Sequence, residues 1–87
     1  MKGPYGVEIA RRASKSLAAL PRQEQQRIRV AVDLLSATPR PPGCVAMAGE
    51  HSVYRVRVGQ HRVVYEVLDE VLVVHVVRVG HRREVYR

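Results

Sequence analysis

Tyr54-Arg55-Val56-Arg57-Val58-Gly59-Gln60-His61-Arg62-Val63-Val64-Tyr65 alternates apolar and polar residues on both sides of a single glycine. Alternation with period two is the mark of a half-buried strand. A two-residue Gly59-Gln60 loop suits a type II′ turn, which takes glycine at its first central position. This register sets Arg57 directly opposite Arg62, with Arg55 two residues further along the same face. Like charges facing one another across a strand pair are unfavourable. An anion among the three guanidinium groups would relieve the repulsion, and their planar forks match the oxygens of phosphate. Arginine alternating with valine also occurs on plain solvated strands. The opposed pair, set against an already apolar opposite face, favours a ligand face.

On the N-terminal side, Tyr5 to Ile9 reads as a short strand with Val7 and Ile9 on one face. Ala10, Ala13, Leu17 and Leu20 follow at helical spacing, with Arg11, Arg12 and Lys15 on the wet side. Pro21 ends that helix and is tolerated in the first turn of the next. Ile28, Ala31, Val32 and Leu35 predict a second amphipathic helix from about Arg22 to Ala37, with Glu24 near its positive end. Thr38-Pro39-Arg40-Pro41-Pro42-Gly43 is a stiff linker. Cys44 to Met47 reads as the start of a strand.

Three stronger strands are predicted at Ser52 to Val58, His61 to Leu68 and Val71 to Val79. Asp69-Glu70 marks the last turn. A two-residue loop there sets Glu66 against Val73, Val64 against His75 and Arg62 against Val77. Tyr54, Val56, Val58, Val63, Tyr65, Val67, Leu72, Val74 and Val76 then share the face that packs on the helices. Arg55, Arg57, Arg62, Val64, Glu66, Val73, His75 and Val77 share the other. With the chain ending at Arg87, this mixed basic and apolar face is expected to lie uncovered and to suit a partner chain. A register off by one would swap the faces of the last strand. The fold class is therefore α+β: a small antiparallel sheet of about four strands, with an N-terminal helical hairpin on one face.

Composition bounds the function. Eighty-seven residues make a single domain over 1–87 with a small core. With 46% hydrophobic residues the chain is globular rather than disordered. A formal net charge of +7 favours a polyanionic partner or an acidic protein that neutralises it. Thirteen of the fifteen basic residues are arginine, which stays protonated and cannot act as a base. Cys44 is the lone cysteine, so no internal disulfide forms and a reducing cytoplasmic setting is expected. No segment is long and apolar enough for a signal peptide or membrane span. His51, His61 and His75 lack metal-ligand spacing, and no cofactor is expected. Without Trp or Phe, and with four Tyr, the chain is poorly supplied for base stacking.

The last segment, Gly80-His81-Arg82-Arg83-Glu84-Val85-Tyr86-Arg87, carries residue types suited to phosphoryl chemistry on RNA. There a 2′-hydroxyl loses a proton, a phosphorane is stabilised and a 5′-oxygen gains a proton. Neighbouring cations lower a tyrosine pKa, so Tyr86 or His81 is able to move protons. Taken singly these signals are weak: a terminal Tyr is more often a packing residue, and His81 beside two arginines is more often wet surface.

The order strand, helix, helix, sheet, with the stretch from Tyr54 to Tyr65 and the ending Gly-His-Arg-Arg-Glu-Val-Tyr, resembles the RelE toxins of bacterial toxin–antitoxin modules. The resemblance covers nearly the whole chain and is strongest from Gly49 to Tyr86. It implies a ribosome-dependent endoribonuclease that cleaves mRNA in the ribosomal A site, leaves a 2′,3′-cyclic phosphate and is neutralised by a cognate acidic RelB-like antitoxin. Arg55 and Arg57 correspond to the family's two basic residues on the first long strand, Arg62 to its arginine on the next, Arg82 to the arginine after the last-strand glycine, and Tyr86 to its C-terminal tyrosine. The family typically has lysines at the first pair. Arginines here cannot share in proton transfer, which leaves Tyr86 as the first candidate base and His81 as the second. Two other functions fit the same residues less fully: a ParE-like toxin that poisons DNA gyrase, and a basic nucleic-acid-binding module without catalysis.

Overall fold

A computed structural model describes residues 3–47, 49 and 52–81. The elements run β1 (Gly6–Ile9), α1 (Arg11–Ala18), α2 (Arg22–Ala37), β2 (Val45–Ala46), β3 (Val53–Val58), β4 (His61–Leu68) and β5 (Val73–His81). They form one five-stranded sheet in the order β1-β5-β4-β3-β2, with both helices on one face. The sheet has one strand more than the roughly four expected. It is also mixed rather than antiparallel, because β1 joins the edge parallel to β5.

The helical periods hold where they were read. Ala13 and Leu17 of α1 and Ile28, Val32 and Leu35 of α2 are buried against Val63, Tyr65 and Val67 of β4 and Val74, Val76 and Val79 of β5. Pro21 stands at the N-cap of α2, where its missing N–H costs nothing. The Gln25 side chain reaches back to donate to the carbonyls of Leu20 (2.8 Å) and Ala18 (3.3 Å), which satisfies the end of α1. The extended N-terminus is tied to the end of α2 by Ser36, 2% exposed. The Ser36 hydroxyl accepts from the Gly3 N–H at 2.8 Å and donates to the Tyr5 carbonyl at 2.7 Å.

The first hairpin has the predicted register, with Arg57 opposite Arg62, Val56 opposite Val63 and Tyr54 opposite Tyr65. Gly59 takes the left-handed φ of 60° that the two-residue turn requires. The second hairpin differs. Its loop holds four residues, Asp69 to Leu72, so Leu68 pairs with Val73 and Glu66 with His75 rather than with Val73. A slip of two residues preserves the faces of Val73 to Val76. Leu72 itself is not in the core: it sits in the turn at φ 54°, 47% exposed.

Beyond Val76 a bulge at Val77 resets the alternation. Tyr65 pairs with Val76, but Val64 pairs with Arg78 and Arg62 with Gly80, not with Val77. An extra residue on one strand flips everything after it to the other face. Val79 thereby joins the core beside Val76, and Arg78 lands on the arginine side of the sheet.

Removing the Ser36 hydroxyl leaves the part-buried Gly3 N–H and Tyr5 carbonyl short of partners, at about 0.5–1.5 kcal/mol for hydrogen bonds of this kind. Ser36→Ala is therefore expected to lower the unfolding free energy by that amount, read as a lower urea midpoint with an unchanged m-value. A loss well below ~0.5 kcal/mol would mean that this tether contributes nothing to stability.

Candidate functional site

The face turned away from the helices is fixed by what the core takes. Because Val63, Tyr65 and Val67 are buried under α1 and α2, the alternate residues Arg62, Val64 and Glu66 point outward. Arg57 and Arg55 of β3 stand opposite Arg62 and Val64. Val45 of β2 is paired with Arg55. Gly43, Val45, Arg55, Arg57 and Arg62 together line a pocket of ≈ 170 Å³. Three guanidinium groups on one small concavity make a strongly positive recess suited to phosphate oxygens. The Arg57 Nε donates to the Gly59 carbonyl at 3.2 Å, which holds that side chain at the hairpin tip. Arg78 reaches the same face through the bulge, next to Val64.

The sequence candidates do not all converge. Arg55, Arg57 and Arg62 are brought together. His81 ends β5 opposite His61, and the two rings meet edge to face with centroids 6.0 Å apart. His61 is 9% exposed and its Nδ1 stands 4.0 Å from Glu24 of α2, so this histidine pair belongs to the helix-bearing side of the sheet. Arg82 and Tyr86 lie outside the described residues. Among the described residues no group of His, Cys, Asp and Glu is arranged to hold a metal ion, and no helix is long and apolar enough to cross a membrane.

A second polar cluster escaped the sequence reading because its members are spread along the chain. Arg40, in the linker after α2, donates from Nη2 to Asp69 Oδ2 at 2.8 Å and from Nε to the Tyr54 hydroxyl at 2.9 Å. The Tyr5 hydroxyl donates to the other Asp69 oxygen at 2.6 Å. Arg40 also lies over the Tyr54 ring, 5.2 Å from its centroid, and Tyr54 stacks on Tyr65 at 6.0 Å. The Tyr65 hydroxyl in turn donates to the Pro39 carbonyl at 2.7 Å. Hydrogen bonds from Arg40 and then Tyr5 hold the Asp69 carboxyl below its ordinary range, and the Asp69 carboxylate raises the Tyr5 phenol. Burial raises the Tyr65 phenol as well.

A helical pair on one face of a five-stranded mixed sheet is the fold of the solved RelE toxins. A family model described as ParE toxin of type II toxin-antitoxin system, parDE, matches residues 7–86, and the chain belongs to that family. It is a RelE-like toxin of a toxin–antitoxin module. Its sequence is 29% identical over 86 residues to RelE1 of Methanocaldococcus jannaschii, a protein named as a toxin, covering 95% of this chain and 96% of that one. The toxin in the archaeal RelE–RelB complex from Pyrococcus horikoshii superposes with a TM-score of 0.81 at 27% identity, over 91% of this chain and 96% of the other. The isolated E. coli RelE toxin gives 0.80 at 28% identity, over 94% and 90%.

A carboxyl whose folded pKa is depressed contributes stability that is fully present above its unfolded value and lost as pH falls through the folded value. The Asp69 cluster should therefore stay intact down to about pH 4 and open only in stronger acid. Carboxyl-detected NMR titration is expected to place the Asp69 midpoint below ~3.9 in the wild type and to raise it towards that value in Arg40→Ala, where the Tyr5 hydrogen bond remains. An ordinary midpoint in the wild type would contradict the pairing.

Proposed function

We propose that this toxin is a ribosome-dependent endoribonuclease that cuts mRNA in the ribosomal A site. The observation that carries the reading is the recess of Arg55, Arg57 and Arg62. Arg57 and Arg62 face each other directly across the strand pair, and with Arg55 they line one recess whose forked guanidinium groups suit an anion with several oxygens. The scissile phosphate and its neighbours supply that anion. The 2′-hydroxyl loses its proton as its oxygen bonds to phosphorus, the bond from phosphorus to the 5′-oxygen breaks, and that oxygen is protonated. The products are a 2′,3′-cyclic phosphate and a 5′-hydroxyl.

Arg55, Arg57 and Arg62 hold the phosphate and offset its growing charge. Arg82 stabilises the phosphorane or assists the leaving oxygen. Tyr86, as a phenolate, accepts the proton from the 2′-hydroxyl, a form that cations near a phenol favour. The turn of His81 towards His61, on the helix side, supports Tyr86 over His81 for this role. The arginines remain protonated throughout and contribute positioning and charge rather than proton transfer. Dependence on the ribosome follows, because a site without an efficient base at neutral pH relies on the substrate being held in an attack geometry.

The partner that silences the toxin is proposed to be an acidic RelB-like antitoxin, in keeping with the RelE–RelB complexes among the solved relatives. Acidic residues would meet the arginines, and aliphatic ones would cover the apolar positions Val73 and Val77. The proposed setting is the cytoplasm, where ribosomes and mRNA are found. The ParE name of the matching family favours one second reading, a poison of DNA gyrase that cuts no RNA.

Toeprinting on programmed ribosomes with purified toxin separates the two. The expected result is a cut inside the A-site codon, a 2′,3′-cyclic end and negligible cleavage of free RNA. Gyrase-dependent DNA breaks with intact mRNA would replace this reading with the second. Arg57→Ala should weaken both A-site binding and cleavage. Arg82→Ala is expected to reduce cleavage about 10²–10³-fold, the usual cost of one charge-stabilising donor, with far less effect on binding. Tyr86→Phe should be nearly inactive. Wild-type cleavage by Tyr86→Phe together with a dead His81→Ala would move the base to His81.

A further inference from the structure

The linker between α2 and β2 joins the helix side of the sheet to the arginine recess. One end, at Pro39 and Arg40, is held on the helix side of the sheet by Tyr65, Tyr54 and Asp69. The other end, at Gly43 and Val45, forms a wall of the arginine recess on the opposite side. Between Arg40 and Gly43 stand only Pro41 and Pro42. Proline rings fix φ, so this span has little freedom to absorb a displacement. The turn that follows is closed by the Cys44 N–H on the Pro41 carbonyl at 3.1 Å, with Gly43 at a φ of 92° that a side chain would resist. Val45 then enters the sheet opposite Arg55.

From this path we propose that Arg40 is a positioning residue of the recess: clamped by Asp69 and Tyr54, it sets through Pro41 and Pro42 where Gly43 and Val45 stand against Arg55, Arg57 and Arg62. The proposal rests on the reading of that recess as a phosphate site. It assigns Arg40 no contact with RNA, since its guanidinium is already engaged by the carboxylate and the phenol. The geometry demands arginine rather than lysine. Nη2 and Nη1 address the two Asp69 oxygens at 2.8 and 3.4 Å while Nε addresses Tyr54, a three-way fork that an ammonium cannot reproduce. Arg40 and Asp69 have side chains 40% and 52% exposed, and ion pairs so open contribute little to global stability. The value of the clamp is therefore local: it orders a loop that walls a binding site.

Cys44, the lone cysteine, lies in this loop next to Gly43 and reports on it without reference to RNA. The experiment measures two quantities on the full chain: the rate at which N-ethylmaleimide modifies Cys44, and the affinity for a 2′-O-methyl tetranucleotide, which binds but cannot be cleaved. Arg40→Ala and Asp69→Asn are expected to raise the modification rate about 10-fold and to weaken the oligonucleotide by a similar factor, since small misplacements in a site are amplified. Thermal midpoints should fall by no more than about 4 °C, and Arg40→Lys should lie between. Arg57→Ala should lose oligonucleotide affinity at the wild-type Cys44 rate. An unchanged Cys44 rate in Arg40→Ala overturns the proposal whatever the RNA result. A raised rate with wild-type affinity also overturns it, because the loop would then move without consequence for the recess. Equal affinity of Arg57→Ala and wild type would instead overturn the phosphate reading of the recess, and the role given to Arg40 with it.

Discussion

The burial of one face of β4 under two helices governs the rest of the molecule. Val63, Tyr65 and Val67 are at most 1% exposed, and β4 is hydrogen-bonded on both sides, to β3 and to β5. A strand held in this way has no freedom to slip, because a shift of one residue would drive Arg62 and Glu66 into the core. The outward direction of Arg62 is therefore a consequence of hydrophobic packing on the other side of the sheet. The two-residue turn at Gly59 transfers the constraint to β3 and delivers Arg57 against Arg62 and Arg55 beside them. The recess is assembled by the core although none of its arginines belongs to the core.

This arrangement separates stability from function. Facing arginines are mildly destabilising, roughly 0.2–1 kcal/mol for a strand pair, and the helix layer offsets that easily. Burying just the side chain of Leu17 or Ile28 is worth about 1.5–3 kcal/mol. The sheet is thus able to carry a positive recess on its other face. The polar ties on the helix side work at a finer scale. Ser36 holds the N-terminal segment to α2, and Arg40 holds the linker to the Asp69 turn. Each joins segments far apart in the chain, and neither adds to the apolar core.

The bulge at Val77 shows how a local irregularity changes the surface. Strict alternation along β5 would turn Arg78 inward and Val79 outward. The extra residue reverses both, so that Val79 closes the core beside Val63 and a further arginine joins the face that carries Arg62. Bulges re-aim side chains at a small cost in pairing, and here the change favours both layers at once.

Much of this was legible in the residues themselves. The helical periods, the Gly59 hairpin and its arginine register depend on local spacing, and spacing is written in the chain. The family resemblance rests on the same local pattern, since it is carried by the hairpin and the ending from Gly80 to Tyr86. The length of the Asp69 to Leu72 turn was not legible, because Leu72 adopts a left-handed φ that its side chain disfavours and holds it through the hydrogen bond from the Gly6 N–H to its carbonyl at 2.8 Å. The parallel placement of β1 beside β5, the pairing of His61 with His81 and the clamp of Arg40 between Asp69 and Tyr54 were likewise decided only in three dimensions. They join residues up to 67 positions apart, where no periodicity exists to read and contact depends on how the packed layers bring distant segments together.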